Sequence, residues 1–261
     1  MKKALLVIIL LLAGLAIFWF LQKKPVQQVE IKAQKTIVFA SDATWPPMEM
    51  VSADKEIVGF CPDLVKAIAK AAGFTAVIKN TAWDGIFAGL SGGKYDAIAS
   101  SVSITDKRKT TMDFSDPYFE VKQGVVTRKG ESIKNTADLK GKKIGAQIGT
   151  TGYFSAKKIE GALPESYDEV GLAIENLNNG RIDAVICDDA VAAGYALQNP
   201  NYSKTLTLAF LIVPDEPEYL GIATQKGNQE TLDLVNKGLK AVRASGEYDI
   251  LFKKWFPTNA K

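Results

Sequence analysis

The sequence predicts an α/β fold of two similar lobes joined by two crossings of the chain, and an internal echo carries that expectation. Leu90-x-x-Gly93-Lys-Tyr-Asp-Ala97 and Leu177-x-x-Gly180-Arg-Ile-Asp-Ala184 share a helix end, a glycine suited to the left-handed position, a basic residue and a new strand. Upstream of each lies a strand that runs into a turn-rich loop. Lys35-Thr-Ile-Val-Phe-Ala40 precedes Ser41-Asp-Ala-Thr-Trp-Pro-Pro47, and Lys142-Lys-Ile-Gly-Ala146 precedes Gly149-Thr-Thr-Gly152. Any βα unit can end a helix with glycine, so it is the shared order in the two halves that argues for a repeat.

From the N-terminus, Met1-Lys2-Lys3 stands before an unbroken apolar run, Ala4 to Phe20, the layout of an export signal. No cysteine ends the run, which excludes lipidation there, and Phe18-Trp-Phe-Leu-Gln-Lys-Lys24 is poor in the small residues that cleavage prefers. Roughly 17 residues is the short limit for a spanning helix, and Trp19 ahead of two lysines resembles an interfacial belt. The run is read as an uncleaved anchor, with a cleaved signal as the alternative. Residues 1–34 are then signal or anchor plus a tether from Pro25 to about Lys35, and the folded part lies outside the cytoplasm.

In the body, Pro62 to Ala72 is predicted as a helix with Pro62 in its first turn. Leu64, Val65, Ile68, Ala69 and Ala72 form its inner face, and Gly73 stops it. Trp83 to Leu90 reads as a second helix. Phe119 to Thr127 leaves the first half as an extended segment, and Leu206 to Thr224 leads back. Gly227 to Pro257 supplies a helical tail, with Leu232, Leu234, Val235, Leu239 and Val242 at roughly helical spacing. If the tail packs on the first half, 35–121 and 217–261 form one lobe and 122–216 the other, with a hinge and cleft between them.

Composition narrows the chemistry. At 261 residues, 47% hydrophobic and 23% charged, the chain is globular and buries one large core or two modest ones. The net charge of +3 includes Lys2, Lys3, Lys23 and Lys24, and no basic stripe is interleaved with aromatics, so nucleic acid is not an expected partner. The absence of histidine excludes a histidine-based triad or general base, and two cysteines are too few for a zinc cluster. No cofactor or metal is called for, and no catalytic residue is assigned.

The richest stretch is Asp96-Ala-Ile-Ala-Ser-Ser-Val-Ser-Ile-Thr-Asp-Lys-Arg108, followed by Phe114-Ser-Asp-Pro-Tyr-Phe119. An apolar strand runs into serine hydroxyls and a single arginine. A guanidinium holds a carboxylate through two parallel hydrogen bonds, while hydroxyls and free N–H groups satisfy its remaining lone pairs. By itself the pattern fits equally well an ordinary βα loop with capping serines and a surface arginine.

The ordered set GF-x-x-DL (Gly59 to Leu64), WDGIF (Trp83 to Phe87), DAIASSVSITDKR, FSDPYF, KGKKIG (Lys140 to Gly145), GRIDAVICD (Gly180 to Asp188) and YDILFKKWF (Tyr248 to Phe256) resembles the extracytoplasmic polar amino-acid-binding proteins of bacterial ABC importers, solute-binding protein family 3. The resemblance runs from about Lys35 onward. It implies a periplasmic-binding-protein, or Venus flytrap, fold that closes over a free amino acid and delivers it to a permease in the inner membrane, as a monomer. It also implies that Arg108 clamps the α-carboxylate with N–H groups of Ser103 and Thr151. Asp188 would meet the α-ammonium with Ser101 and Ser103. The plain alternative for Asp188 is a helix N-cap, a role that Asp189 suits better.

Trp45 and Trp83 fall where the family places aromatics about the ligand side chain, which suits a guanidinium or a lysine stem. Asp42 and Ser100 would receive the distal cation. That points to arginine, lysine or ornithine, with glutamine or a small neutral amino acid as the alternative. A packing role for Trp83 in its helix is the structural alternative. Cys61-Pro62 departs from the acidic and apolar pair usual after Gly-Phe, and Cys61 and Cys187 are expected as free buried thiols. Two rival classes share the fold: secreted cyclohexadienyl dehydratases, and ligand-binding halves of membrane receptors, which here would need a separate partner chain.

Overall fold

The computed structural model describes residues 34–257, so the predicted anchor and most of the tether lie outside the described residues. The chain opens with β1 (Thr36–Ser41), then three short strands, β2 (Thr44–Trp45), β3 (Glu49–Val51) and β4 (Ile57–Val58). There follow α1 (Phe60–Ala72), β5 (Thr75–Asn80), α2 (Ile86–Ser91), β6 (Ala97–Ser103), α3 (Asp106–Lys109), β7 (Met112–Phe114) and β8 (Phe119–Val121). The middle contributes β9 (Gln123–Arg128), β10 (Lys143–Gln147), α4 (Thr151–Lys158), β11 (Leu163–Tyr167), α5 (Val170–Asn178), β12 (Ala184–Asp188), α6 (Asp189–Ala193) and β13 (Leu206–Ile212). The chain returns through β14 (Glu218–Gln225), α7 (Gln229–Ala244) and α8 (Glu247–Trp255).

Two sheets follow one plan. The first runs β5-β1-β6-β14-β7, with β8 also paired to β14, and the second runs β11-β10-β12-β9-β13. In each, three parallel strands are followed by an antiparallel one that enters from a crossing, β14 in the first and β9 in the second. The crossings are short: β8 ends at Val121 and β9 begins at Gln123, while β13 ends at Ile212 and β14 begins at Glu218.

The sequence echo has a concrete meaning here. Asp96 accepts the Val38 N–H at 2.7 Å and returns its own N–H to the Val38 carbonyl at 2.9 Å. Asp183 makes the same exchange with Lys143, at 2.8 and 2.9 Å. Gly93 (φ 70°) and Gly180 (φ 74°) adopt the left-handed conformation that ends each preceding helix. Each motif therefore stops a helix and pins the next strand to its parallel neighbour, β6 to β1 and β12 to β10.

The inner face of α1 is as expected, and Gly73 (φ 82°) closes it, but the helix begins two residues early, at Phe60. Pro62 still lies in the first turn, where its missing N–H is not needed. Buried Val235, Leu239 and Val242 of α7 pack with α1 in one core. Gly238 allows the close approach, since a Cβ there would stand 2.5 Å from the Ile68 carbonyl oxygen.

The tail is two helices rather than one, because Gly246 (φ 78°) breaks it, and Leu232 and Leu234 are half-buried. The break returns α8 onto α1. The Phe60 ring lies 5.6, 6.2 and 5.4 Å from the rings of Tyr248, Phe252 and Phe256, and Asp63 accepts from Lys254 at 2.7 Å and Trp255 at 2.9 Å. The GF-x-x-DL and YDILFKKWF motifs thus form one contact. Trp83 precedes its predicted helix, which starts only at Ile86 after left-handed Gly85 (φ 82°). Cys61 and Cys187 are buried free thiols, one in α1 and one in β12.

Gly59 (φ 139°) leads into α1 with its backbone against Met48 and Glu49, where a Cβ would collide with the Met48 carbonyl. Gly59→Ala combines backbone strain with a steric clash and is expected to cost about 2–4 kcal/mol. Urea unfolding measures this directly, and a loss below about 1 kcal/mol would contradict the tight junction.

Candidate functional site

The site begins with an irregularity in β6, a strand buried along its whole length. Val102 pairs with Gly221 and Ile98 with Ala223, so residues 99–101 of β6 face Ile222 alone. Such a bulge re-aims side chains. Ser101 sits in it at φ 46°, an uncommon conformation for a residue with a side chain. The backbone groups of Ile222 are not left unpaired. Ser115, from the FSDPYF segment, donates its N–H to the Ile222 carbonyl and accepts the Ile222 N–H on Oγ, both at 2.9 Å. Ser100 Oγ accepts the Asp42 N–H at 2.8 Å, and Ser101 Oγ donates to Glu49 at 3.0 Å.

Arg108 is positioned by α3. Thr105 caps that turn by accepting the Arg108 N–H on its hydroxyl, which directs the side chain back along the end of β6. Nη1 donates to the Ser103 carbonyl at 2.9 Å and Nη2 to the Gly149 carbonyl at 3.2 Å, so one guanidinium bridges loops of the two sheets. Its carbon lies 5.5 Å from the Trp83 ring centre and 4.9 Å from that of Phe87. Burial pulls its pKa down to about 10, against the charges of Asp188 and Glu218, so it stays cationic at neutral pH.

The second sheet supplies the facing wall. Gln147, at the end of β10, donates to Asp42 at 2.8 Å and to the Asp168 carbonyl at 2.7 Å. Thr150 caps α4, so Thr151 is the first residue of that helix, where a backbone N–H has no intrahelical acceptor. The Thr151 hydroxyl lies 3.3 Å from that of Ser103. Asp188 ends β12 and occupies the N-cap position of α6, yet its carboxylate does not cap the helix. It accepts instead from Trp45 Nε1 at 3.3 Å and Gln123 Nε2 at 3.2 Å. The expectation that Asp189 is the cap is therefore corrected. Asp189 is the first helical residue, and its carboxylate accepts from the adjacent Ala190 N–H.

One pocket brings together all nine expected residues: Asp42, Trp45, Trp83, Ser100, Ser101, Ser103, Arg108, Thr151 and Asp188. Glu49, Gln147 and Thr150 complete it, and none of these three was singled out in the sequence. Glu49 is fully buried, with Oε1 lacking a partner among the described residues. Burial raises its pKa well above the usual carboxylate range, with further push from the charges of Asp42 and Asp188. Burial, then the charge of Glu218, pushes Asp188 up to about 7. Burial also raises Asp42, against hydrogen bonds from Gln147 and Thr44. Three enclosed carboxylates thus face one guanidinium, an arrangement that is costly unless a further cation or protons enter.

The sequence profile of the bacterial extracellular solute-binding proteins, family 3, matches residues 37–258. The chain belongs to this family. A probable histidine-binding protein of Neisseria gonorrhoeae is 40% identical over 83% of this chain and 81% of its own length. The ABC transporter arginine-binding protein 1 of Escherichia coli (strain K12) is 39% identical over 86% and 92%. Among solved structures, the arginine-, lysine-, histidine-binding protein ArtJ of Geobacillus stearothermophilus superposes with a TM-score of 0.79 at 41% identity, covering 87% of this chain and 97% of that one. Family 3 proteins of this kind are extracytoplasmic and bind amino acids for ABC transporters, and the two-sheet architecture described above is their two-lobed fold.

The raised carboxyls set a direction for stability. An acid with an elevated folded-state pKa binds its proton more tightly when folded, so its stabilisation is complete below the unfolded value, near 4. That stabilisation is lost as pH rises through the folded value, about 7 for Asp188. Glu49 and Asp42 act in the same direction. Protein dialysed free of amino acids should therefore lose thermal stability between pH 5 and pH 8, at up to about 1.4 kcal/mol per pH unit for each titrating carboxyl. Asp188→Asn should flatten the slope in thermal melts, and a midpoint that climbs over this range would refute the assignment.

Proposed function

We propose that this protein captures a free basic amino acid, arginine, lysine or ornithine, by closing two lobes over it, and delivers it to an ABC permease. The carrying observation is the charge imbalance: Asp42, Glu49 and Asp188 enclosed with Arg108 as the only basic side chain of the pocket among the described residues. A zwitterion adds one charge of each sign. Its carboxylate takes Arg108 with the N–H groups of Ser103 and Thr151, and its ammonium takes Asp188 with Ser101 and Ser103. With a neutral side chain the two surplus carboxylates are met by protons alone, whereas a cationic one offsets one of the two and leaves a single carboxyl to hold its proton. Glu49, with its unpartnered oxygen, is the stronger acceptor for that cation, beside Asp42 and Ser100. Trp45 and Trp83 flank the chamber, although Trp83 also stacks on Arg108.

In this reading 35–121 and 217–261 form one lobe, 122–216 form the other, and residues 1–34 anchor and tether a monomer to the cytoplasmic membrane. The sheet membership of β8, β9, β13 and β14 supports the boundaries. The names of three of the relatives, which cite histidine, arginine and lysine, support a basic ligand, while an ancestral arginine-binding protein solved with glutamine keeps that amino acid as the alternative. A role as binder rather than dehydratase is supported by Arg108 and Asp188 lining one pocket, a cation and an anion suited to the two charged ends of a free amino acid. No turnover of prephenate or arogenate is expected.

A thermal-shift screen of the twenty amino acids, with ornithine and D-isomers added, tests the ligand class, since ligand raises the melting midpoint by mass action. Arginine, lysine or ornithine should give the largest shift, and a neutral amino acid in first place would overturn the basic reading. Arg108→Ala should weaken every amino acid about 100-fold or more, because the carboxylate is common to all and buried pairs of this kind are worth about 2–5 kcal/mol. Glu49→Gln should weaken basic ligands about tenfold or more and leave neutral ones within about threefold. Equal losses for both classes, read by calorimetry, would remove Glu49 from the specificity role.

A further inference from the structure

Asp188 is held from an unexpected direction. Gln123 opens β9 immediately after the first crossing, and Glu218 opens β14 immediately after the second. The two meet across the hinge: Gln123 Nε2 lies 3.1 Å from Glu218 Oε2, 3.2 Å from Asp188 Oδ1 and 3.2 Å from the Thr151 hydroxyl. An amide nitrogen carries two hydrogens, so three acceptors compete for two donors. The shortage extends further, since Gln123 Oε1 and Glu218 Oε1 are both buried without partners among the described residues. Gly152 makes room for the arrangement, because a Cβ there would stand 2.9 Å from Gln123 Oε1.

We propose that Gln123 and Glu218 are positioning residues, a clamp with one jaw at each hinge crossing, that orients Asp188 for the ligand ammonium and couples its neutralisation to lobe closure. The proposal rests on the reading of Asp188 as the ammonium partner. An ammonium arriving at Asp188 brings three N–H donors of its own. Gln123 is then released to serve Glu218 and Thr151 together, which ties both crossings to the first turn of α4. Because β9 and β14 belong to different sheets, the Gln123–Glu218 contact depends on the hinge angle.

The clamp makes predictions of opposite sign. Asp188 faces Arg108 from α3, Glu49 from β3, Glu218 from β14, and its chain neighbours Cys187 and Asp189. Among these, the Glu218 charge disfavours an ionised Asp188 and the Gln123 hydrogen bond favours it. Glu218→Gln keeps the shape and removes the charge, whereas Gln123→Met keeps the bulk and removes the donors. Glu218→Asp keeps the charge.

Calorimetric titration with L-arginine from pH 5.5 to pH 8.5 tests this. In the unaltered chain, affinity should fall about tenfold from pH 8 to pH 6, as an acid near 7 regains its proton. Glu218→Gln should shrink that fall to about threefold or less, Glu218→Asp should retain it, and Gln123→Met should displace it to higher pH. Glu49 and Asp42 remain in every variant, so their contribution cancels in the comparison. Identical profiles for Glu218→Gln and the unaltered chain, or displacement of Glu218→Gln and Gln123→Met in the same direction, would overturn the clamp while leaving the binding function intact. Failure of the unaltered chain to bind arginine at any of these pH values would overturn the functional reading and the clamp with it.

Discussion

The constraint on which the rest depends is the enclosure of several carboxylates around a single guanidinium. Carboxylates removed from water are costly by several kcal/mol each unless paired, so a fold that buries three of them must hold their partners with little freedom. The architecture meets that demand at the ends of strands. Asp42 follows β1, the serines end β6, Gln147 ends β10 and Asp188 ends β12, all central parallel strands of their sheets. Ligand sites outside the carboxyl ends of such strands are a general property of open α/β sheets, because loops and helix N-termini converge there with unpaired N–H groups. The echo motifs serve the same end, since Asp96 and Asp183 lock β6 and β12 to β1 and β10, and so fix the spacing of the site residues.

Much of this was legible in the sequence because the signals were local or repeated. Helix-ending glycines at 93 and 180, the proline in the first turn of α1 and the apolar periodicity of α7 all act within one turn of chain, and they lie where expected. All nine expected site residues gather in one pocket, because the motifs that carry them sit at strand ends. Glu49 was not legible. Glu49 and Val51 are two apart on β3 and share a face, so the strand period does not separate them, and hydropathy favours burying the valine; yet Glu49 is fully buried and Val51 is 47% exposed. That inversion is dictated by the pocket, a tertiary demand that no local pattern reports. The tail break at Gly246 and the late start of α2 were missed for a related reason: a glycine within a helical pattern reads as tolerated until tertiary contacts require its positive φ.

The departure at Cys61 becomes intelligible once Glu49 is placed. Cys61 lies directly behind the bulge of β6, where its sulfur accepts from the Tyr118 hydroxyl at 3.6 Å and the Ser101 backbone N–H points toward it. Burial, and then the charge of Glu49, push its thiol pKa far up, so the side chain is neutral at any ordinary pH. A carboxylate at this position, as the family pattern would have it, would sit within the field of Glu49 in a region with no exposed surface. Its repulsion would act on the same charges that line the pocket. A thiol fills the space with a weak acceptor and adds no charge. Ser101 stands between the thiol and the pocket, its hydroxyl donating to Glu49 and its backbone in the left-handed conformation of the bulge. Such a conformation costs about 1–3 kcal/mol and persists only where the surroundings enforce it. Here Ser115 supplies that enforcement by satisfying the Ile222 backbone opposite the bulge. The FSDPYF segment, through Ser115 and Tyr118, therefore shapes the pocket without lining it, by holding the bulge that aims Ser101 at Glu49.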